Sequence, residues 1–137
     1  MIRLLDTNTC IHIIRHRTPE VLRRFEGYTA GEIGVSCITV AEMRYGVEKS
    51  LRSDQNRQAL EQFLLPLFVA DFGGEATVEY GRIRADLERS GTPIGPLDTL
   101  IAAHAASLGV TLVTDNTREF GRVTQLRLEN WVSAAES

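Results

Sequence analysis

Leu97-Asp98-Thr99-Leu100-Ile101-Ala102-Ala103-His104-Ala105-Ala106-Ser107-Leu108-Gly109-Val110-Thr111-Leu112-Val113-Thr114-Asp115 carries both halves of the fold in one stretch. Leu97, Leu100, Ile101, His104, Ala105 and Leu108 fall at i, i+3, i+4, i+7, i+8 and i+11, the spacing of one helical face. Ala102, Ala103 and Ala106 fill the other sides, so this helix is expected to be largely buried. Gly109 caps it, and 110–114 is a short apolar run rich in β-branched residues, ending at Asp115. A buried helix followed directly by a buried strand is the alternation of a mainly parallel sheet with helices on both faces.

The rest of the chain repeats that alternation. Residues 2–5 read as a buried strand ending at Asp6, and 7–16 as a helix with Ile11 and Ile14 on one side. Thr18-Pro19 opens a second helix, with Thr as N-cap and Pro at the first helical position. Residues 33–38 read as a buried strand. Thr39-Val40-Ala41-Glu42 has the form of a capping box, which predicts a helix from there to about Ser50. Ser53 starts another, carrying Leu60, Phe63 and Leu64. A strand is expected within 67–72, and Gly73-Gly74 leads into a helix with Ala76, Tyr80, Ile83 and Leu87 on one face. Gly91 ends that helix, 91–96 is a loop, and 126–128 is the last candidate strand. With no repeat, linker or low-complexity tract, the expectation is one α/β domain over 1–137.

Composition excludes several classes. At 137 residues, 43% hydrophobic and 24% charged, the chain can bury a core unaided and has no disordered or fibrous signature. Cys10 and Cys37 have neither metal nor redox spacing and read as small buried hydrophobes. No apolar run approaches the ~18 residues of a membrane span. Together with the early acid at Asp6, these features lead to the expectation of a cytoplasmic protein. A net charge of −3 argues against a protein that coats nucleic acid, but not against an enzyme that gathers acids in one pocket.

Sheets of this kind bind ligands outside the carboxyl ends of their strands. Asp6 and Asp115 directly follow predicted strands, Glu42 lies one helical turn past another, and Asp98 sits in the first turn of the buried helix. Each has a plain structural role available. Asp6 and Asp115 can be N-caps, Glu42 the partner of the Thr39 box, and Asp98 a complement to the helix dipole. Together, in partial burial, such carboxylates repel and must share protons or bind a cation. Hard oxygen donors, with no His/Cys zinc pattern among His12, His16 and His104, point to Mg²⁺ or Mn²⁺ and to phosphate chemistry.

A family resemblance then becomes specific. Leu5-Asp6-Thr7-Asn8-Thr9-Cys10-Ile11 resembles the opening motif of PIN-domain nucleases. Ile38-Thr39-Val40-Ala41-Glu42-Met43-Arg44-Tyr45-Gly46 resembles their second acidic motif. Thr92-Pro93-Ile94-Gly95-Pro96-Leu97-Asp98-Thr99-Leu100-Ile101-Ala102-Ala103-His104-Ala105 is similar to the third motif of VapC-type toxins, and Leu112-Val113-Thr114-Asp115-Asn116-Thr117-Arg118-Glu119-Phe120 to the fourth. The ending Leu126-Arg127-Leu128-Glu129-Asn130-Trp131 also fits. The resemblance implies a PIN-like three-layer α/β/α domain and an acidic core of Asp6, Glu42 and Asp98, with Mg²⁺ most directly on Asp6 and Asp98. Asp115 and Asn116 compete for the fourth position, with Glu119 nearby, and Asn8 and Thr7 are auxiliary groups for a water or a phosphate.

The implied activity is metal-dependent hydrolysis of RNA phosphodiester bonds, with tRNA as an expected substrate, by the toxin of a type II toxin–antitoxin pair. The implied partners are a cognate VapB-type antitoxin and a second copy of the chain. The antitoxin is expected to insert an arginine among the acids and to cover an apolar groove formed within 7–45. The apolar content around 11–14 and 41–47 offers material for a homodimer. Arg15, Arg17 and Arg44 are candidate contacts for the RNA backbone. A haloacid-dehalogenase phosphatase needs an acid at position 8, where Asn8 stands. A receiver domain needs a lysine late in the chain, and the sole lysine is Lys49. The alternative that survives is a catalytically degenerate module that binds RNA or protein.

Overall fold

The computed structural model describes residues 1–132. The expected domain over 1–137 therefore reaches into 133–137, which lie outside the described residues. The elements run β1 (Arg3–Leu5), α1 (Thr7–His16), α2 (Pro19–Glu26), β2 (Ile33–Ser36), α3 (Cys37–Lys49) and α4 (Ser53–Leu64). They continue with β3 (Phe68–Ala70), α5 (Gly74–Arg89), α6 (Pro96–Leu108), β4 (Thr111–Val113), α7 (Thr117–Phe120) and β5 (Leu128–Glu129).

The strands form one sheet in the order β3-β2-β1-β4-β5. Every pairing is parallel, with Leu4 opposite Gly34 on one side and Leu112 on the other. Successive residues of a strand face opposite sides, and in β1 both sides are apolar. Leu5 packs with Cys10, Ile13, Val35, Met43, Leu60 and Trp131 under α1 to α4. Leu4 packs with Ile83, Leu87, Ile101, Ala102, Ala105, Leu112 and Phe120 under α5 to α7. Leu4, Leu5 and Leu112 have no solvent exposure, and burying each contributes about 1.5–3 kcal/mol. The result is the expected α/β/α sandwich with helices on both faces.

The largest departure from the sequence reading is at the start of α3. The strand ends at Ser36, and the helix begins at Cys37. Ser36, extended at φ −72° and ψ 146°, is the N-cap, and its Oγ accepts from Ile38 N at 3.0 Å. The Thr39-to-Glu42 capping box therefore does not form. Thr39 lies inside the first turn, buried, and Glu42 is released for other work. The other four strands are also shifted or shortened, with β1 starting at Arg3 rather than residue 2 and β4 confined to 111–113 within the expected 110–114. The expected 67–72 strand is only β3 at the sheet edge, with Phe68 and Val69 exposed, and the last strand lies at 128–129 rather than 126–128. Ile13, Met43 and Val47 belong to the chain's own core, so the stretches offered for a homodimer keep less free apolar surface than expected. Among the described residues, no helix is long and apolar enough to cross a membrane.

Candidate active site

The order β3-β2-β1-β4-β5 reverses direction between β1 and β4, so a crevice opens outside the carboxyl ends of those two strands. Asp6, directly after β1, stands at that point and is 3% exposed. It is also the N-cap of α1: Thr9 N donates to Oδ1 at 2.8 Å. Thr114, directly after β4, donates from Oγ1 to Asp6 Oδ2 at 2.5 Å. That hydroxyl accepts in turn from Asn116 N at 3.0 Å, so its single proton is directed at the carboxylate. Burial raises the Asp6 pKa above the usual carboxylate value. The hydrogen bonds from Thr114 and Thr9 act in the opposite direction, and the charge of Asp115 adds to the rise.

Glu42 reaches the crevice from the second turn of α3. Its Oε1 accepts from Thr7 Oγ1 at 2.7 Å, and Thr7 Oγ1 also lies 3.0 Å from Thr39 Oγ1. The start of α1 is thereby tied to the start of α3. Asp98 comes from the first turn of α6, which Pro96 opens at its first position. Asp98 is half-buried, and its carboxyl is pushed up to about 6, first by burial, then by the charges of Asp6, Glu42 and Glu119. Like charges on three other elements thus act on one carboxylate.

These groups surround one cavity of about 300 Å³, lined by Asp6, Thr7, Asn8, Glu42, Asp98 and Asn116, with Gly95, Pro96, Leu97 and Phe120 completing the wall. Asp115 is exposed and lies outside the lining, whereas Asn116, half-buried, lies within it. The cap expected of Asp115 is made by Asn116, whose Oδ1 accepts from Glu119 N at 3.4 Å. Of the three basic residues expected at the rim, Arg44 is paired with Glu61 on α4 at 2.7 Å. Arg15 lines a second, apolar groove, and Arg17 ends α1 at φ 43°. Sequence reasoning passed over Thr114. A hydroxyl at the buried end of a central strand, directly before an acid, was the available signal.

Among the described residues, no three His, Cys, Asp or Glu side chains form a ready metal-holding group. The donors present fit a looser kind of binding. Mg²⁺ keeps several waters and takes one or two carboxylates, and a cation here would offset the burial and the like charges that together lift Asp98.

The second groove, about 250 Å³, runs between α1, α3 and α4. It is lined by Ile11, Ile14, Met43, Val47 and Leu60, with Glu42 at its edge.

The sequence matches the PIN domain family over residues 3–126. It is 44% identical over 128 residues to the "tRNA(fMet)-specific endonuclease VapC" of Salmonella typhimurium, covering 93% of this chain and 96% of that one. It is 46% identical over 129 residues to "Ribonuclease VapC2" of Haemophilus influenzae, covering 94% and 97%. The fold superposes with a TM-score of 0.92 on a chain of the DNA-bound VapBC crystal structure from Salmonella typhimurium, at 43% identity over 96% of this chain and 98% of that one.

Proposed function

The chain belongs to the PIN-domain family, and from that membership we propose that it is a metal-dependent endoribonuclease, the toxin of a type II toxin–antitoxin pair. The observation that carries this reading is the convergence of Asp6, Glu42, Asp98 and Asn116 on one cavity at the reversal point of the sheet. The substrate is RNA. Because a relative with 44% identity is named for tRNA(fMet), transfer RNA is the substrate class to test first.

Asp6 and Asp98 would hold Mg²⁺, or Mn²⁺, with Glu42 and Asn116 completing the polar wall. Such a cation supplies Lewis-acid polarisation of a phosphoryl oxygen and an activated water. The chain's own residues provide the setting. Thr114 and Thr9 fix the Asp6 carboxylate through one hydrogen bond to each oxygen. Thr7 holds Glu42 Oε1, leaving its other oxygen for a water or a ligand. Asn8, exposed on the first turn of α1, is positioned to meet a phosphate at the cavity mouth. Asp115 acts from the rim through its charge on Asp6.

The partner of this reading is a VapB-type antitoxin, supported by the VapBC complex on which the fold superposes. The apolar groove beside Glu42 is the surface it would cover, and an arginine reaching past Glu42 into the acids would pair with them. A homodimer is the remaining assembly proposed. The function is tested by incubating the metal-stripped chain with a panel of RNAs, with and without Mg²⁺ or Mn²⁺. Cleavage that requires the cation and is strongest on a tRNA supports it. No cleavage of any RNA under either cation leaves the degenerate binding module as the better account.

A further inference from the structure

His104 is 1% exposed in the middle of α6, on an alanine-rich helix where an apolar residue would pack. The cavity chemistry does not use it, yet both ring nitrogens are engaged. Nε2 lies 3.0 Å from the backbone oxygen of Asp71, in the segment after β3, and Nδ1 lies 2.8 Å from Ser36 Oγ. The ring of Phe72 packs edge-on against it at 5.3 Å. A carbonyl oxygen only accepts, so Nε2 carries the proton. Burial lowers the His104 pKa and keeps the ring neutral, so Nδ1 is an acceptor. Ser36 must then donate its one hydroxyl proton to Nδ1. Its lone pairs are left facing Ile38 N, the bond that caps α3.

With the ring neutral, the direction of every bond in this relay follows from one carbonyl: Ile38 N–H to Ser36 Oγ, Ser36 O–H to Nδ1, Nε2–H to Asp71 O. It crosses three elements, the segment after β3, α6 and the N-terminus of α3. The two helices it joins are those that carry Asp98 and Glu42 to the cavity. Asp98 lies six residues before His104, and Glu42 six residues after Ser36. A slip between α3 and α6 therefore changes the separation of the two acids.

We infer that His104 is a positioning residue: acting through Ser36, it sets the register of α3 against α6 and so holds Glu42 and Asp98 at the spacing their ligand needs. Its link to catalysis rests on the proposed metal-dependent cleavage, whereas its link to α3 does not.

The experiment compares wild type with His104→Leu, His104→Gln, Ser36→Ala and the His104→Leu/Ser36→Ala pair. Amide exchange is followed on the metal-free chain, Mn²⁺ affinity by titration, and kcat and KM on RNA. His104→Leu should speed exchange at the Ile38 amide while β4 stays protected. It should weaken Mn²⁺ binding and lower kcat by about tenfold each, the usual scale for loss of an orienting partner, with KM little changed. His104→Gln, which can still accept at one end and donate at the other, should recover most of this. The double variant should bind Mn²⁺ no more weakly than Ser36→Ala, because the two act in series. If His104→Leu lowers only thermal stability, with Ile38 exchange, Mn²⁺ affinity and kcat at wild-type values, the residue is a core filler and the inference is overturned. Additive losses in the double variant overturn the route through Ser36. If wild type neither cleaves RNA nor binds Mn²⁺, the proposed function fails. The Ile38 exchange still decides the link to α3, and unchanged exchange removes it.

Discussion

Two concavities share the flank of α3, and Glu42 lines both. The acidic cavity gathers Asp6, Glu42 and Asp98 around about 300 Å³ and pushes the Asp98 carboxyl up to about 6. The groove between α1, α3 and α4 is nearly as large but is walled by Ile11, Ile14, Met43, Val47 and Leu60. In one, charges of the same sign oppose each other until something neutralises them. In the other, Ile11 and Ile14 stay partly exposed beside the buried Met43, Val47 and Leu60 until something covers them. The same two helices therefore present two incomplete surfaces, one suited to a cation and phosphate, the other to an apolar chain segment. Their shared edge at Glu42 is where an occupant of the groove can reach the acids.

The sharpest separation comes from substitutions confined to one side. Asp6→Asn keeps an acceptor for Thr9 N, presents an NH2 to Thr114 Oγ1 in place of the second carboxylate oxygen, and removes the charge. RNA cleavage should fall by more than about 100-fold, beyond what loss of an outer-shell partner costs, with little change in melting temperature. On the other side, Gly46 lines the groove, and a Cβ built there meets nothing within 4 Å. Gly46→Leu should fill the groove and weaken inhibition by the proposed antitoxin about tenfold or more while leaving cleavage by the free chain at wild-type level. A titration of activity against antitoxin reads both. Loss of cleavage in Gly46→Leu would merge the two surfaces into one.

The pH response tests the electrostatic half. Folding raises the Asp98 pKa from the carboxylate value to about 6, so the folded metal-free chain holds more protons than the unfolded chain between roughly pH 4 and pH 6. The stabilising contribution of that extra proton is complete at the acid end of the window and disappears as pH rises through 6. Metal-free protein should thus melt at a higher temperature at pH 5 than at pH 7.5 as far as this group is concerned, and Asp98→Asn should flatten the difference. Saturating Mg²⁺ should abolish it by favouring the ionised form. Melting curves at the two pH values with and without Mg²⁺ decide this. The smallest effect is expected from Gly46→Ala. It should stabilise the chain by about 0.5–1 kcal/mol through lost freedom of the unfolded helix and change neither activity nor inhibition.

The alternation of elements, the burial of α6 and the acids at the strand ends were legible because each rests on local pattern. The apolar period of 97–108 and the strand–acid junctions at Asp6 and after β4 need no tertiary information. The start of α3 was misread for a physical reason. Cys37-Ile38 is apolar and continues the β2 run, and Ser36 is a cap only because the chain turns there under α6. Thr39-Val40-Ala41-Glu42 satisfied the capping pattern by composition, whereas in the fold Glu42 accepts from Thr7, 35 residues earlier. Which of Asp115 and Asn116 lines the cavity is not legible in the sequence either. It depends on which residue follows Thr114 into the crevice, and Asn116 does so because its own N–H is held by that hydroxyl. Long-range hydrogen bonds of this kind leave no periodic trace.

The proposed cleavage of RNA in the acidic cavity depends on a cation held by Asp6 and Asp98. Its most direct test is to strip the chain of metal and measure tRNA cleavage across a Mn²⁺ titration, in parallel with Mn²⁺ binding, for wild type and Asp98→Asn. No cleavage is expected without metal, with activity that rises in step with occupancy in wild type and with both binding and cleavage lost in the variant. Cleavage that survives chelation, or that Asp98→Asn leaves intact, would contradict it.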